Sequence, residues 1–229
     1  RPIQGNAGLC RYWSSMGIKV NTMFLKAALC RKNNCGIKTL PHHTHTPPSH
    51  PESEIPEQLD FRNIDGYDFT SYFRDQGKCG SCYTISMTQV MEARIKLKYG
   101  KQPPMLSPQM LMTCNYMNEG CDGGWSFFHG YMAENGHLVS EQCAPYLAKT
   151  KGQSCSQYSK CATEAKIEKS YFIGGAYGES SEKKMMRELL HKGMFNAELN
   201  VPTAFSFYKS GILSNDHESQ MSSYLSVAA

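Results

Sequence analysis

Nowhere in the 229 residues is there a run of about 18 consecutive apolar side chains, so no membrane-spanning helix is expected. Charge is sparse as well: Asp, Glu, Lys and Arg make up 19% of the chain, and the net charge is only +4. That excess is local. Residues 1–54 carry seven Lys/Arg against Glu52 and Glu54, whereas the remaining 175 residues carry 17 basic groups against 18 acidic ones. A nucleic-acid partner requires a basic face interleaved with aromatics, and an electrically neutral body does not supply one. No second C-x2-C pair accompanies Cys79 and Cys82, so a four-cysteine zinc site is not expected. No tidy signal peptide is read in the opening residues either, because the weakly apolar stretch from Val20 to Leu29 is broken by Asn21 and Lys26. The N-terminus at Arg1 is therefore not expected to be that of a native precursor.

What is present argues for a folded chain. Hydrophobic residues make up 40%, with 13 Tyr, 10 Phe and 13 Met, and the length suits one large domain or two modest ones. Residues 1–39 hold Cys10, Cys30 and Cys35 but no convincing periodicity, and no fold is assigned to them. From Leu40 to Pro56 come five prolines and the histidines His42, His43, His45 and His50. Clustered imidazoles bind metals, yet a polar, proline-rich tract does not fix ligand geometry, so the tract is read as a linker and no metal site is expected. Residues 1–54 thus form an unassigned segment with a Pro/His-rich linker.

From Ile55 onward, apolar and polar residues alternate with regular punctuation. A helix is expected from near Ser81 to about Lys98, with Tyr83, Met87, Met91 and Ile95 at i+4 spacing and Gly100 beyond its end. Ser107 followed by Pro108 announces a second, since serine caps the first turn and proline suits the first helical position. Further helices are expected over Ser126 to Asn135, stopped by Gly136, and over Ser181 to His191, ended by Gly193. The segments Ile167 to Gly174 and Phe195 to Val201 favour strands. Helices first and strands later predict an α+β architecture, with a helical domain over 55–165 and a β-rich domain over 166–229.

Seven of the ten cysteines, Cys79, Cys82, Cys114, Cys121, Cys143, Cys155 and Cys161, lie close together in sequence, and an odd number suggests three disulfides with one thiol left over. Disulfides point to a secretory or lysosomal route. The chemistry centres on Cys82 in Gln76-Gly77-Lys78-Cys79-Gly80-Ser81-Cys82-Tyr83. At the start of a long helix, unpaired N–H groups and the helix dipole stabilise a thiolate. The side-chain amide of Gln76 beside the Cys82 backbone N–H would place two donors on one developing oxyanion. Two other readings stay open at this point: a redox Cys79/Cys82 pair, or a merely buried Cys82.

The stretch Cys79-Gly80-Ser81-Cys82-Tyr83 resembles the active-site signature of papain-like cysteine peptidases. Ile55-Pro56-Glu57-Gln58-Leu59-Asp60-Phe61-Arg62-Asn63, Leu106-Ser107-Pro108-Gln109 and Gly120-Cys121-Asp122-Gly123-Gly124 are similar to further landmarks of the family, in order. Tyr83, Met91-Glu92-Ala93-Arg94-Ile95 and Gly174-Gly175-Ala176-Tyr177-Gly178 resemble its dipeptidyl-peptidase branch. The resemblance covers about Ile55 to Leu213. It implies a two-domain papain-like fold with an incomplete β-rich half, and a peptide or protein substrate. It also implies Cys79–Cys121, Cys114–Cys155 and Cys143–Cys161 bridges with Cys82 free, and an extended substrate lying along the bare backbone of Gly123 and Gly124. Without the resemblance that glycine pair can also be read as an ordinary turn, the lesser of the two readings.

The same resemblance calls for a histidine base and an orienting asparagine beyond Gly211-Ile212-Leu213. Only His217 follows, close behind that landmark, and no asparagine comes after it, so this chain alone is expected to turn over poorly. His129, His137 and His191 are read as helix or loop histidines. No cofactor is required. The branch's chloride site uses tyrosines replaced here by Phe127 and Phe172, which lack the hydroxyl donor. An exclusion domain or a homo-oligomer is a partner implied by resemblance, but residues 1–54 do not resemble that domain. The alternative function is a non-catalytic binding or structural protein on the same fold.

Overall fold

Helix α1, Cys82–Tyr99, is the element around which the described structure is built. The computed structural model describes residues 55–175, 179–202, 205, 207–210 and 221–228. The helix ends where Gly100 turns left-handed at φ 66° and sends its N–H back to the Lys96 carbonyl, a backbone conformation that only glycine takes without strain. Expectation and structure agree on these limits to within a residue. They differ on its surroundings: not one face but most of the first three turns is buried, from Tyr83 through Ala93. A helix buried all round must satisfy its polar side chains internally, and α1 does so. Thr88 Oγ1 donates to the Ile85 carbonyl, and Glu92 receives the Arg74 guanidinium and the Leu106 N–H.

Helix α2, Pro108–Cys114, starts as its sequence dictates: Ser107 Oγ accepts from the Met110 N–H at 3.0 Å and Pro108 opens the first turn. Helix α3, Ser126–Asn135, is preceded by Trp125, whose side chain makes no cap. Glu198 supplies an acceptor instead, taking the Ser126 N–H and Oγ at 3.2 Å each. Gly136 does end α3, though in extended rather than left-handed backbone; a Cβ there would stand 2.9 Å from the Met132 carbonyl oxygen. Packed among these helices, Met91, Leu106, Met110, Leu111, Ala133, Leu138, Val139, Ala144, Tyr158 and Cys161 form one apolar cluster. Short bridges, Leu106 to Ser140 and Leu138 to Ala165, tie the connecting segments together.

The described residues divide into two compact units, one including 171–175 and 179–185, the other including 55–170 and those from 186 onward. In the first, the described residues include a turn closed by the Gly175 N–H on the Phe172 carbonyl and the opening of helix α4, Glu182–Lys192. The second unit holds α1 to α3 and a two-stranded antiparallel sheet of β1, Asn196–Pro202, and β2, Met221–Ala228, registered Asn196 to Ala228 and Leu199 to Leu225. Strand β2 lies beside α1. No helix among the described residues is long and apolar enough to cross a membrane.

The strand expected over Ile167 to Gly174 is absent. Its would-be ladder is diverted, because Glu134 Oε1 accepts from both the Ser170 N–H and its hydroxyl, and Gly174 turns to φ 102°. At Gly174 a Cβ would come within 2.3 Å of the Glu179 carbonyl oxygen, so the chain folds back where a strand would run on. The His-rich tract, His217 and the Gly211-Ile212-Leu213 landmark lie outside the described residues.

Candidate active site

Cys82 is the first residue of α1, half-buried, and the one free thiol among the described cysteines. The other six are joined as Cys79–Cys121, Cys114–Cys155 and Cys143–Cys161, spanning 42, 41 and 18 residues. Cys79 is thus committed to Cys121, which removes the redox Cys79/Cys82 pairing. That bridge also fixes where Cys82 stands. The Gly80 N–H donates to the Cys121 carbonyl at 2.8 Å, and a Cβ on Gly80 would lie 2.8 Å from the same oxygen. Glycine at position 80 therefore lets the backbone before α1 press against the Cys121 to Gly123 turn.

Gly123 and Gly124 differ in what they require. Gly123 takes φ 113°, with open space where a side chain would be. That bare face is free to receive another backbone. At Gly124 a Cβ would meet Tyr83 Cε2 and Asn118 Cγ at 2.7 Å, so its missing side chain is demanded by packing inside the protein. The Tyr83 hydroxyl donates to the Gly120 carbonyl at 2.8 Å, and burial pushes its phenol well above the usual range. Helix α1 and the glycine turn are thus locked together one residue beyond Cys82.

Gln76 belongs to a loop held at both sides. Two residues before it, Arg74 pairs with Glu92 of α1 at 2.7 Å, with side chains 6% and 0% exposed. The Gln76 carbonyl itself accepts from the Tyr146 hydroxyl at 2.8 Å, and that hydroxyl also bonds to Ser81 Oγ, on the residue directly before Cys82. Nothing local in the sequence marked Tyr146, whose partners lie 70 and 65 residues away. On the opposite side of the first turn, Ser86 Oγ donates to the Cys82 carbonyl and accepts from Asn196 of β1.

His129 is not placed as a base. It is fully buried in α3, with Asn115 Nδ2 donating to Nδ1 at 2.9 Å, so the neutral ring carries its proton on Nε2 and donates to Thr84 Oγ1 at 2.7 Å. Burial lowers its pKa to about 3. Among the described residues no histidine hydrogen-bonds to Cys82. The candidate chloride-site replacement Phe127 packs tilted against Phe128, ring centroids 4.2 Å apart.

The profile of the papain family of cysteine proteases matches residues 55–229, and the chain belongs to that family. Cathepsin C of Schistosoma mansoni is 38% identical over 141 residues, covering 61% of this chain and 31% of that protein. Cathepsin K of Mus musculus is 32% identical over 166 residues, 70% of this chain and 46% of the relative. The chain therefore spans less than half the length of either. Among solved structures, procathepsin L 3 of Tenebrio molitor larval midgut superposes with a TM-score of 0.63 at 24% identity, over 82% of this chain and 59% of that one. Bromelain from Ananas comosus, in complex with the E64 inhibitor, gives 0.63 at 24% identity over 76% and 75%. These likenesses support the papain-like fold.

Proposed function

We propose that the chain serves as a cathepsin C-like cysteine peptidase that removes dipeptides from peptide N-termini. The observation that carries this reading is the unpaired thiol of Cys82 on the first residue of α1, two residues after Gly80, whose backbone packs against the Cys121 to Gly123 turn. The Cys82 thiolate attacks the scissile carbonyl carbon: the S–C bond forms and the carbonyl π pair moves to oxygen. The Cys82 N–H and the Gln76 side-chain amide are the donors for that oxyanion. Gly123 and Gly124 carry the substrate backbone in extended form. Collapse of the intermediate expels an amine that must take up a proton, a role the family gives to histidine, and water then cleaves the thioester.

The dipeptidyl specificity is supported by the 38% identity to a cathepsin C and by Tyr83 after the nucleophile. In the same reading residues 55–165 form the helical domain and 166–229 the β-rich one, with residues 1–54 as a separate segment. No cofactor is required, and phenylalanines at 127 and 172 argue against a chloride ligated by phenol hydroxyls there. An exclusion domain or a second copy would restrict the site to chain ends. Three disulfides suit a lysosomal or secreted setting.

A thiol-directed peptidyl epoxide tests the nucleophile. The parent chain is expected to take up one equivalent at Cys82, located by peptide mass mapping, and Cys82→Ala none. Equal labelling of both chains would sink the assignment. A parent that binds peptides without labelling would favour a non-catalytic binding protein on the same fold.

A further inference from the structure

We propose that Tyr146 is a positioning residue that sets the spacing of the two oxyanion donors; this rests on the peptidase reading above. One hydroxyl is bonded to both halves of that device. It donates to the Gln76 carbonyl at 2.8 Å and accepts from Ser81 Oγ. Gln76 carries one donor on its side chain. Ser81 contributes the carbonyl half of the peptide whose nitrogen is the Cys82 N–H, so holding Ser81 holds the second donor.

The proton inventory is complete. The phenol has one hydrogen, which goes to Gln76, and the Ser81 hydroxyl hydrogen goes to the phenol oxygen. Burial raises the Tyr146 pKa, which keeps that hydrogen in place. The residue is itself braced from behind. Its N–H donates to Glu141 Oε1 at 2.7 Å, and Gln109 of α2 accepts the Leu147 N–H at 2.9 Å and donates to the Lys149 carbonyl at 2.8 Å. Ser107 donates to the Ala144 carbonyl at 2.5 Å. Residues 144–149 therefore form a stiff strut from α2, and the Tyr146 hydroxyl is its tip. Oxyanion donors work only if fixed before the charge develops, and a loop carbonyl and a helix cap 65 to 70 residues away gain that fixity from one shared partner.

The test uses a peptidyl aldehyde, which a thiolate converts to a hemithioacetal without any leaving group, set against methyl methanethiosulfonate, which modifies the thiol without an oxyanion. Tyr146→Phe is expected to weaken the aldehyde about tenfold, the loss of roughly one neutral hydrogen bond, while the methanethiosulfonate rate changes less than twofold. Ser81→Ala, which removes the other arm and keeps the phenol, should weaken the aldehyde in the same sense. In Gln76→Ala the further change Tyr146→Phe should cost much less, because one of the donors it aligns is gone. Aldehyde affinity unchanged in both Tyr146→Phe and Ser81→Ala, with Gln76→Ala impaired, overturns the positioning role and leaves the peptidase reading standing. So does full additivity of Tyr146→Phe with Gln76→Ala. Aldehyde binding that survives Cys82→Ala, or ignores Gln76→Ala, overturns the reading itself.

Discussion

The Tyr83 ring lies flat on the imidazole of His129, their centroids 5.0 Å apart and their planes 6° from parallel. One partner follows the candidate nucleophile and the other sits in α3, so the stack fastens two helices beneath the site. It also makes the site's foundation sensitive to acid, because the imidazole has no room for a second proton.

His129 has a folded pKa of about 3 against an unfolded value near 6.5, so the unfolded chain binds the extra proton first. The stability this neutral ring contributes is fully present above pH 6.5 and is lost as pH falls toward 3, at about 1.4 kcal/mol per pH unit. Urea unfolding at pH 7, 6, 5 and 4 should show His129→Gln losing less with acid than the parent by about that slope. Parallel curves for the two chains would remove His129 as the cause.

Glu92→Gln should destabilise by about 3–5 kcal/mol, because it leaves the Arg74 guanidinium buried without its paired carboxylate. Replacing both, as Arg74→Met with Glu92→Leu, should recover much of that loss. Denaturant midpoints of the three variants decide it, and a double variant no better than Glu92→Gln would assign the cost to the Leu106 and Ser71 contacts of Glu92 instead.

Gly124→Ala should cost about 1–3 kcal/mol even without any substrate, since the added methyl meets Tyr83 and Asn118 at 2.7 Å. Gly123→Ala has room and is opposed mainly by its φ of 113°. A lowered melting temperature together with an altered near-ultraviolet tyrosine signal in Gly124→Ala is the expected pair of readings. An unchanged melting temperature would restore Gly124 as a glycine kept for ligand alone.

Loop entropy ranks the disulfides. Removing Cys114–Cys155, which spans 41 residues, should cost about 4 kcal/mol, and removing Cys143–Cys161, which spans 18, about 3 kcal/mol. Paired serine variants compared by urea unfolding measure the difference. The reverse order would place the effect in native packing around Cys161 rather than in the unfolded chain.

Where local chemistry decides, the sequence was readable. Ser107-Pro108 and the glycines at 100 and 193 mark helix limits within a residue or so, because caps and left-handed stops depend on neighbours in the chain. Periodicity misled at α1, where a single apolar face was expected and burial runs nearly all round, because Thr84, Ser86 and Glu92 are buried with polar partners that lie far away in sequence. Ile167 to Gly174 reads as a strand by composition, yet Glu134 takes the Ser170 donor that a ladder would need. Strand β2 was not foreseen at all. The cysteine motif marked the one free thiol among the described cysteines; the bonds of Tyr146 were not legible, since one tyrosine's hydroxyl partners are fixed only once the chain has folded.

The polar lining of α1 has one more effect. A helix seated among equivalent leucines can slide along its axis at little cost, exchanging one apolar neighbour for the next. This one is indexed: Thr84, Ser86 and Glu92 engage His129, Asn196 and Arg74 like teeth, and a shift of one turn would disengage all three at once. The height of Cys82 is thereby set digitally rather than by general snugness. Apolar replacements at Thr84 and Ser86, with the Arg74–Glu92 pair kept, would then yield a chain that still folds but holds its thiol at several levels, and they would surface as heterogeneous labelling rates as well as lost stability.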